Sequence, residues 1–231
     1  MELGQGCYRI DGIRHSSAYL LSGEGRWVVV DTGMKGHAKA ILSFAQQLGL
    51  GLSGLKAILL THRHMDHAGS VAPLLAQVPA AALYVHPADA PFVASGQVGP
   101  QQGWMAALFR IFGTFTRIPP VEESRPLQDG QILELAGWTL RVLHVPGHTA
   151  GSVAFLVTQL GALISGDAIV TRRGRAAPPP APFTDDMDQA RESLSRLTAL
   201  SFEQLWPGHG DPIRSEAQKA VRALVDGFTA A

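Results

Sequence analysis

Thr61-His62-Arg63-His64-Met65-Asp66-His67-Ala68-Gly69 packs three histidines and an aspartate into six positions, His62 to His67. It follows the apolar run Lys56–Leu60, which reads as a buried strand. A chain that stays extended beyond a strand turns side chains i and i+2 to the same side, so His62 and His64 can grip one ion together. Asp66 and His67 come where the chain turns into the helix predicted over Ser70–Val78, and can reach towards a second position. A lone histidine is usually a packed, hydrogen-bonded residue, the reading given to His15 and His37. Four ligand-type side chains in six positions point to metal chemistry instead.

Further out, three stretches each place an ionisable residue beside glycine at the end of a predicted strand. They are Pro146–Ser152 (PGHTAGS) with His148, Ser165–Ala168 (SGDA) with Asp167, and Pro207–Gly210 (PGHG) with His209. Strand ends with glycine turns are where a scaffold holds functional groups at a shared edge. Six or seven candidates exceed the four ligands of a closed structural zinc site, which implies two ions or open coordination positions. Cys7 is the only cysteine, so no internal disulfide forms and the ligands are nitrogen and oxygen. Cys7 itself reads as a buried strand residue.

The remaining pattern alternates. Short apolar runs at 7–10, 16–22 and 26–31 predict consecutive strands, and Gly36–Gly49 switches to helical spacing through Ala38, Ile41, Leu42, Ala45 and Leu48. The second half repeats the scheme, with strands over 131–135, 138–145, 152–157, 162–165 and 204–207 and helices over 186–200 and 214–228. Strands with helices in both halves predict an α/β fold layered helix, sheet, sheet, helix, as a single domain over 1–231. A helical insertion is expected over about 87–130, where Trp104, Phe112 and Phe115 share a helical spacing; it is either a lid that offers the substrate pocket an apolar wall or a homodimer face. The Pro-containing stretch Thr171–Asp186 predicts a loop, and its Arg172, with Arg173 and Arg175, can meet a carboxylate or phosphate.

Composition narrows the functional classes. Hydrophobic residues make up 46% of 231, enough for a substantial core, and 19 Lys and Arg balance 19 Asp and Glu. No basic patch suggests nucleic acid or an anionic membrane as partner. The N-terminus lacks a signal-peptide pattern and no stretch approaches the roughly 18 apolar residues of a membrane helix, so a cytoplasmic location and a small-molecule substrate are expected.

The motifs THRHMDH, PGHTAGS, SGD and PGHG, in this order after Val28–Gly33 (VVVDTG), resemble those of the metallo-β-lactamase-fold hydrolase superfamily and span most of the chain. The glyoxalase II-like and lactonase-like dinuclear branch is the nearest match. The resemblance implies an αββα sandwich with the site at one edge between its two sheets. It implies that His62, His64 and His148 hold one ion, Asp66, His67 and His209 a second, and Asp167 bridges both. Asp31 would orient the first cluster, and His144 is expected to be packed. The implied cofactor is two zinc ions, although imidazole and carboxylate ligands also suit iron or manganese. A hydroxide shared by the two ions would attack a carbonyl, and a metal-bound water or Asp66 would protonate the leaving group.

Within the resemblance, β-lactamases lack the bridging aspartate. Glyoxalase II enzymes carry a longer helical C-terminal region than the one helix that fits after Gly210. Nucleases and flavodiiron proteins add parts not visible here. The expected activity is therefore hydrolysis of a thioester, lactone or other carboxylic ester. The alternatives are an iron-dependent persulfide dioxygenase and a non-catalytic metal-binding module.

Overall fold

The computed structural model describes residues 1–97 and 117–229. Strands β1 (Glu2–Gly4), β2 (Cys7–Arg9), β3 (Tyr19–Gly23) and β4 (Arg26–Val30) run as an antiparallel meander. Strands β5 (Leu55–Leu59), β6 (Ala82–Val85) and β7 (Arg125–Pro126) then add in parallel, giving seven strands in sequence order. Parallel neighbours require crossovers. Helix α1 (Ala38–Gln47) fills the first; α2 (Met65–Ala68) and α3 (Val71–Gln77) fill the second; α4 (Ala90–Ser95) opens the third.

The second sheet orders its strands β14-β11-β10-β9-β8. Strands β8 (Ile132–Leu135), β9 (Trp138–His144), β10 (Val153–Val157) and β11 (Ala162–Gly166) are antiparallel neighbours, while β14 (Gln204–Pro207) lies parallel to β11. Between β11 and β14 come the hairpin β12 (Val170–Arg172) and β13 (Arg175–Ala177), then helix α5 (Met187–Leu197); helix α6 (Ala217–Thr229) follows β14. Asp186 caps α5, its carboxylate accepting from the backbone N–H of Asp188 and Gln189 at 3.0 and 2.9 Å.

Side-chain alternation builds the layers. Along β4, Trp27 and Val29 pack with Ile41 and Leu42 of α1 and Val71 and Leu74 of α3, whereas Val28 and Val30 join Phe155 and Ile164 of the opposite sheet. Along β11 and β14, Ile164 and Trp206 face that central core, and Leu163 and Leu205 pack with Leu194 of α5 and Val221 of α6. Three apolar cores thus separate four layers, the αββα sandwich expected from the sequence. Cys7 is buried in the central core. Among the described residues no helix is long and apolar enough to cross a membrane.

Two features differ from the sequence reading. The stretch Thr171–Asp186 is not wholly irregular, because Arg172 pairs with Arg175 across a tight turn in which Arg173 and Gly174 have φ of 52° and 74°. That left-handed pair matches the twist of a two-residue hairpin, and the proline run resists pairing only from Pro178 onwards. Within the expected insertion, α4 ends at Gly96 in the left-handed conformation, and Gln97 bridges Arg117. Trp104, Phe112 and Phe115 lie outside the described residues.

Candidate metal centre

Strands β4, β5, β9, β11 and β14 all end at one edge of the sandwich, and each is followed by a residue singled out from the sequence: Asp31, His62, His148, Asp167 and His209 respectively. Helix α2 begins directly after His64 and brings Asp66 and His67 to the same edge. Potential ligand atoms of His62, His64 and His148 lie within 4.8 Å of one another, as do those of Asp66, His67 and His209, and of His62, His67 and Asp167. Asp167 sits between the first two groups. Its Oδ2 is 3.4 Å from His148 Nε2 and 3.2 Å from His209 Nε2, and its Oδ1 is 3.3 Å from His67 Nε2.

Hydrogen bonds fix which ring nitrogens face inward. Thr61 Oγ1 donates to Asp31 Oδ2 at 2.7 Å, so it accepts from His62 Nδ1 at 3.0 Å and leaves His62 Nε2 with its lone pair. His67 Nδ1 donates directly to Asp31 Oδ2 at 2.8 Å. Thr184 Oγ1 donates to the Pro180 carbonyl and accepts from His148 Nδ1 at 3.1 Å. Asp31 therefore orients two imidazoles at once, and its left-handed φ of 60° is a strain that its surroundings sustain.

The nitrogens so aimed find no ordinary partner. His62 Nε2, His67 Nε2 and Asp167 Oδ1 are buried and make no hydrogen bond among the described residues. His64 Nδ1 and His148 Nε2 stand 2.9 Å apart with one proton to share. Buried polar atoms without partners are costly, and here they converge. A divalent cation satisfies all of them, and neutral imidazoles with carboxylates are the donor set such ions take.

Electrostatics divides the cluster. Burial pushes the imidazoles of His62 and His64 well below their usual range, helped by neighbouring histidines, so both are neutral. Burial also lowers His148. Burial works against charge on His67 too, but Asp167, Asp31 and Asp66 outweigh it and hold the imidazole well above its usual range. His209, opposed by burial, is raised to about 9 by Asp167 and Asp66. Burial pushes the Asp66 carboxyl up, yet His67 and His209 bring it down to about 2. Asp167 is held well below the usual carboxylate range, burial being overcome by His67 and His209.

Sequence reasoning passed over Arg63. Its side chain, 1% exposed, donates from Nη1 to Asp89 Oδ1 at 2.9 Å and from Nη2 to Asp185 Oδ2 at 2.6 Å, with its guanidinium 4.5 Å from the Phe92 ring centre. Asp89 is fully buried and also accepts from Arg63 N, Thr149 Oγ1 and Gly151 N, at 2.9, 2.7 and 3.1 Å. One charge pair thus joins the His62/His64 segment, the His148 loop and the start of α4. A Cβ on Gly151 would lie 2.5 Å from Asp89 Cγ, which is why glycine stands there.

Ser16 Oγ and Ser17 N hold the carbonyls of Asp66 and Gly208 at 2.5 and 2.7 Å, and His15 beside them has a φ of 73°. His15 is exposed rather than packed and lines a cavity of about 520 Å³ in front of the cluster, together with Arg172. His144 stays apart, stacked on His86 with ring centres 4.0 Å apart. Nothing in the sequence signals the Arg63–Asp89 pair or the place of His15.

A sandwich with a histidine and aspartate cluster between its sheet edges has the architecture of a metal-dependent hydrolase. The chain belongs to the metallo-beta-lactamase superfamily, whose profile matches residues 11–209. It is 32% identical over 208 residues to "Probable metallo-hydrolase YflN" of Bacillus subtilis, covering 81% of this chain and 76% of that one. Hydroxyacylglutathione hydrolase of Aeromonas hydrophila is also 32% identical, over 81% of this chain and 58% of its own length. Among solved structures, TTHA1623 in a di-iron-bound form is 32% identical with a TM-score of 0.66, covering 89% of this chain and 92% of that one.

Proposed function

We propose that the protein hydrolyses a carboxylic thioester, lactone or other ester at a centre of two divalent ions. His62, His64 and His148 would hold one ion and Asp66, His67 and His209 the other, with Asp167 placed between the two groups. The observation that carries this reading is the convergence of buried, unpartnered atoms on a carboxylate set between two three-residue groups. Bound there, such ions polarise a carbonyl and lower the pKa of water.

The chain's own residues do the rest. Asp31 orients the imidazoles of His62, through Thr61, and of His67 so that their Nε2 atoms face inward. Asp66 is ionised at neutral pH, so it begins as a proton acceptor. The sequence expectation that it protonates the leaving group is refined: Asp66 hands over a proton only after taking one from the attacking water. Water adds to the carbonyl carbon, the carbon–sulfur or carbon–oxygen bond breaks, and the thiol or alcohol leaves with that proton. The likeness to a hydroxyacylglutathione hydrolase supports the thioester member of the class. The di-iron neighbour keeps iron beside zinc and manganese as the metal.

Elemental analysis combined with assays on thioesters, lactones, phosphodiesters and a β-lactam tests the proposal. About two ions per chain and turnover confined to the carboxylic substrates are expected. Iron together with oxygen uptake on a persulfide would instead indicate a dioxygenase, and metal without turnover a binding module.

Two further outcomes are expected. A Cβ at Gly208 would collide with Asp167 Oδ1 and lie 2.8 Å from His67 Cε1. Gly208→Ala should therefore weaken metal binding on the order of 10–100-fold, as disturbed ligand orientation does, with an unchanged far-UV circular dichroism spectrum. Undiminished affinity would refute this steric argument. Second, His67 and His209 carry protons at neutral pH in the metal-free protein, His209 up to about pH 9. Metal must displace those protons, so affinity should rise with pH until about 9, and calorimetry in buffers of different ionisation enthalpy should register proton release. A pH-independent affinity between 7 and about 9 would contradict the charge assignment.

A further inference from the structure

The cavity in front of the cluster is largely apolar away from its floor, being walled by Met34, Met65, Val170, Pro180 and Phe183. Its floor carboxylates, Asp66 and Asp167, are engaged with His67 and His209. Arg172 enters from the end of β12. Several surface cations have an anionic neighbour: Arg9 with Asp211, Arg26 with Glu24, Arg191 with Asp188, Arg196 with Asp129 and Lys219 with Glu216. Among the described residues no carboxylate pairs with Arg172, nor with Arg173 or Arg175 on the same hairpin. Three arginines without a carboxylate partner thus stand on one hairpin, and of the three it is Arg172 that lines the cavity in front of the site.

The hairpin is held in place. Thr171 N donates to the His209 carbonyl at 2.9 Å and Thr171 Oγ1 to the Asp211 carbonyl at 2.7 Å. The same segment ends at Thr184 and Asp185, which bond His148 and Arg63. The guanidinium is therefore carried by backbone anchored to the loops of the cluster at both ends. A cation that lines an apolar cavity and is carried on anchored backbone suits an anion-recognition subsite, because guanidinium forms charge-assisted, paired hydrogen bonds with carboxylate or phosphate.

We propose that Arg172 binds a negative charge on the substrate, so that the preferred substrate is a thioester or ester whose apolar part lies on the cavity wall and which carries a carboxylate or phosphate. This rests on the hydrolase reading above. The anion has two possible sources, a carboxylate at the far end of the acyl chain or a phosphate on the departing thiol or alcohol.

Matched substrates separate them. One pair carries acyl chains of equal length ending in carboxylate or methyl on an uncharged thiol; the other carries one apolar acyl group on a thiol with or without phosphate. For one pair the metal-loaded protein should favour the charged member by about tenfold or more in kcat/KM, the value of one charge-assisted contact, and the pair showing it identifies the source. Arg172→Gln should bring that ratio towards one, mainly through KM, while Arg172→Lys keeps part of it. Arg173→Gln and Arg175→Gln should retain the preference. Equal rates within both pairs, or equal losses in all three arginine variants, overturn the role of Arg172 while hydrolysis stands. If no ester or thioester is hydrolysed, the hydrolase reading falls and takes this one with it.

Discussion

Asp167→Ala is expected to leave a folded chain that has lost hydrolytic activity by on the order of 10³-fold or more, the loss that follows removal of a central charge-stabilising group. The expectation rests on where Asp167 sits. It is 4% exposed, its two oxygens face His67, His148 and His209 within 3.4 Å, and no other carboxylate among the described residues reaches both histidine groups. Replacing it removes the one carboxylate, among the described residues, that stands between the two triplets of potential ligands, so metal content should fall together with rate. The two readouts belong together. Elemental analysis after gel filtration should show fewer ions per chain, and added metal should not restore the rate. His62→Ala should behave similarly, since His62 Nε2 belongs to two of the ligand groups. Normal turnover by either variant would remove the dinuclear reading.

The largest stability effect should come from a residue that never faces a substrate. Arg63→Met leaves Asp89, fully buried, with a charge and no countercharge. Breaking one partner of a buried pair costs about 3–5 kcal/mol, which for a chain of this size corresponds to a fall in Tm of roughly 6–20 °C. The cause can be distinguished from simple loss of packing. In the double variant Arg63→Met/Asp89→Leu the stranded charge is gone, so part of the stability should return, although Thr149, Gly151 and Asp185 lose partners. A double variant no more stable than Arg63→Met would assign the loss to packing. Metal-free and metal-loaded samples should both show the effect, because neither partner is among the residues proposed to hold metal.

What the sequence made legible follows from how local each signal is. His62, His64, Asp66 and His67 announce themselves by spacing within one turn of chain, and the alternation of Trp27, Val28, Val29 and Val30 states which side chains face which layer. His148, Asp167 and His209 are legible because each follows an apolar strand and adjoins glycine. Arg63 stands in the middle of the motif but reads as filler, since its partners lie 26 and 122 positions away. A bond across that separation leaves no periodic trace. The hairpin Val170–Ala177 was obscured by the prolines that follow it, and its turn uses Arg-Gly rather than the Asn-Gly or Asp-Gly that marks such turns. His15 could not be placed because a left-handed backbone at a non-glycine residue is imposed by packing, not by local preference.

Thr184 and Asp185 mark a border in the molecule. On one side lies the run from Val170 to Phe183, much of it exposed, which forms part of the cavity wall. On the other lie His148 and Arg63, to which these two residues are bonded. Grafting a foreign hairpin tip between Arg172 and Ala177 should therefore redirect substrate choice without disturbing the reaction centre, because Thr171, bonded to the His209 carbonyl, and Pro180, whose carbonyl holds Thr184, stay in place; a graft reaching Thr184 would alter both at once.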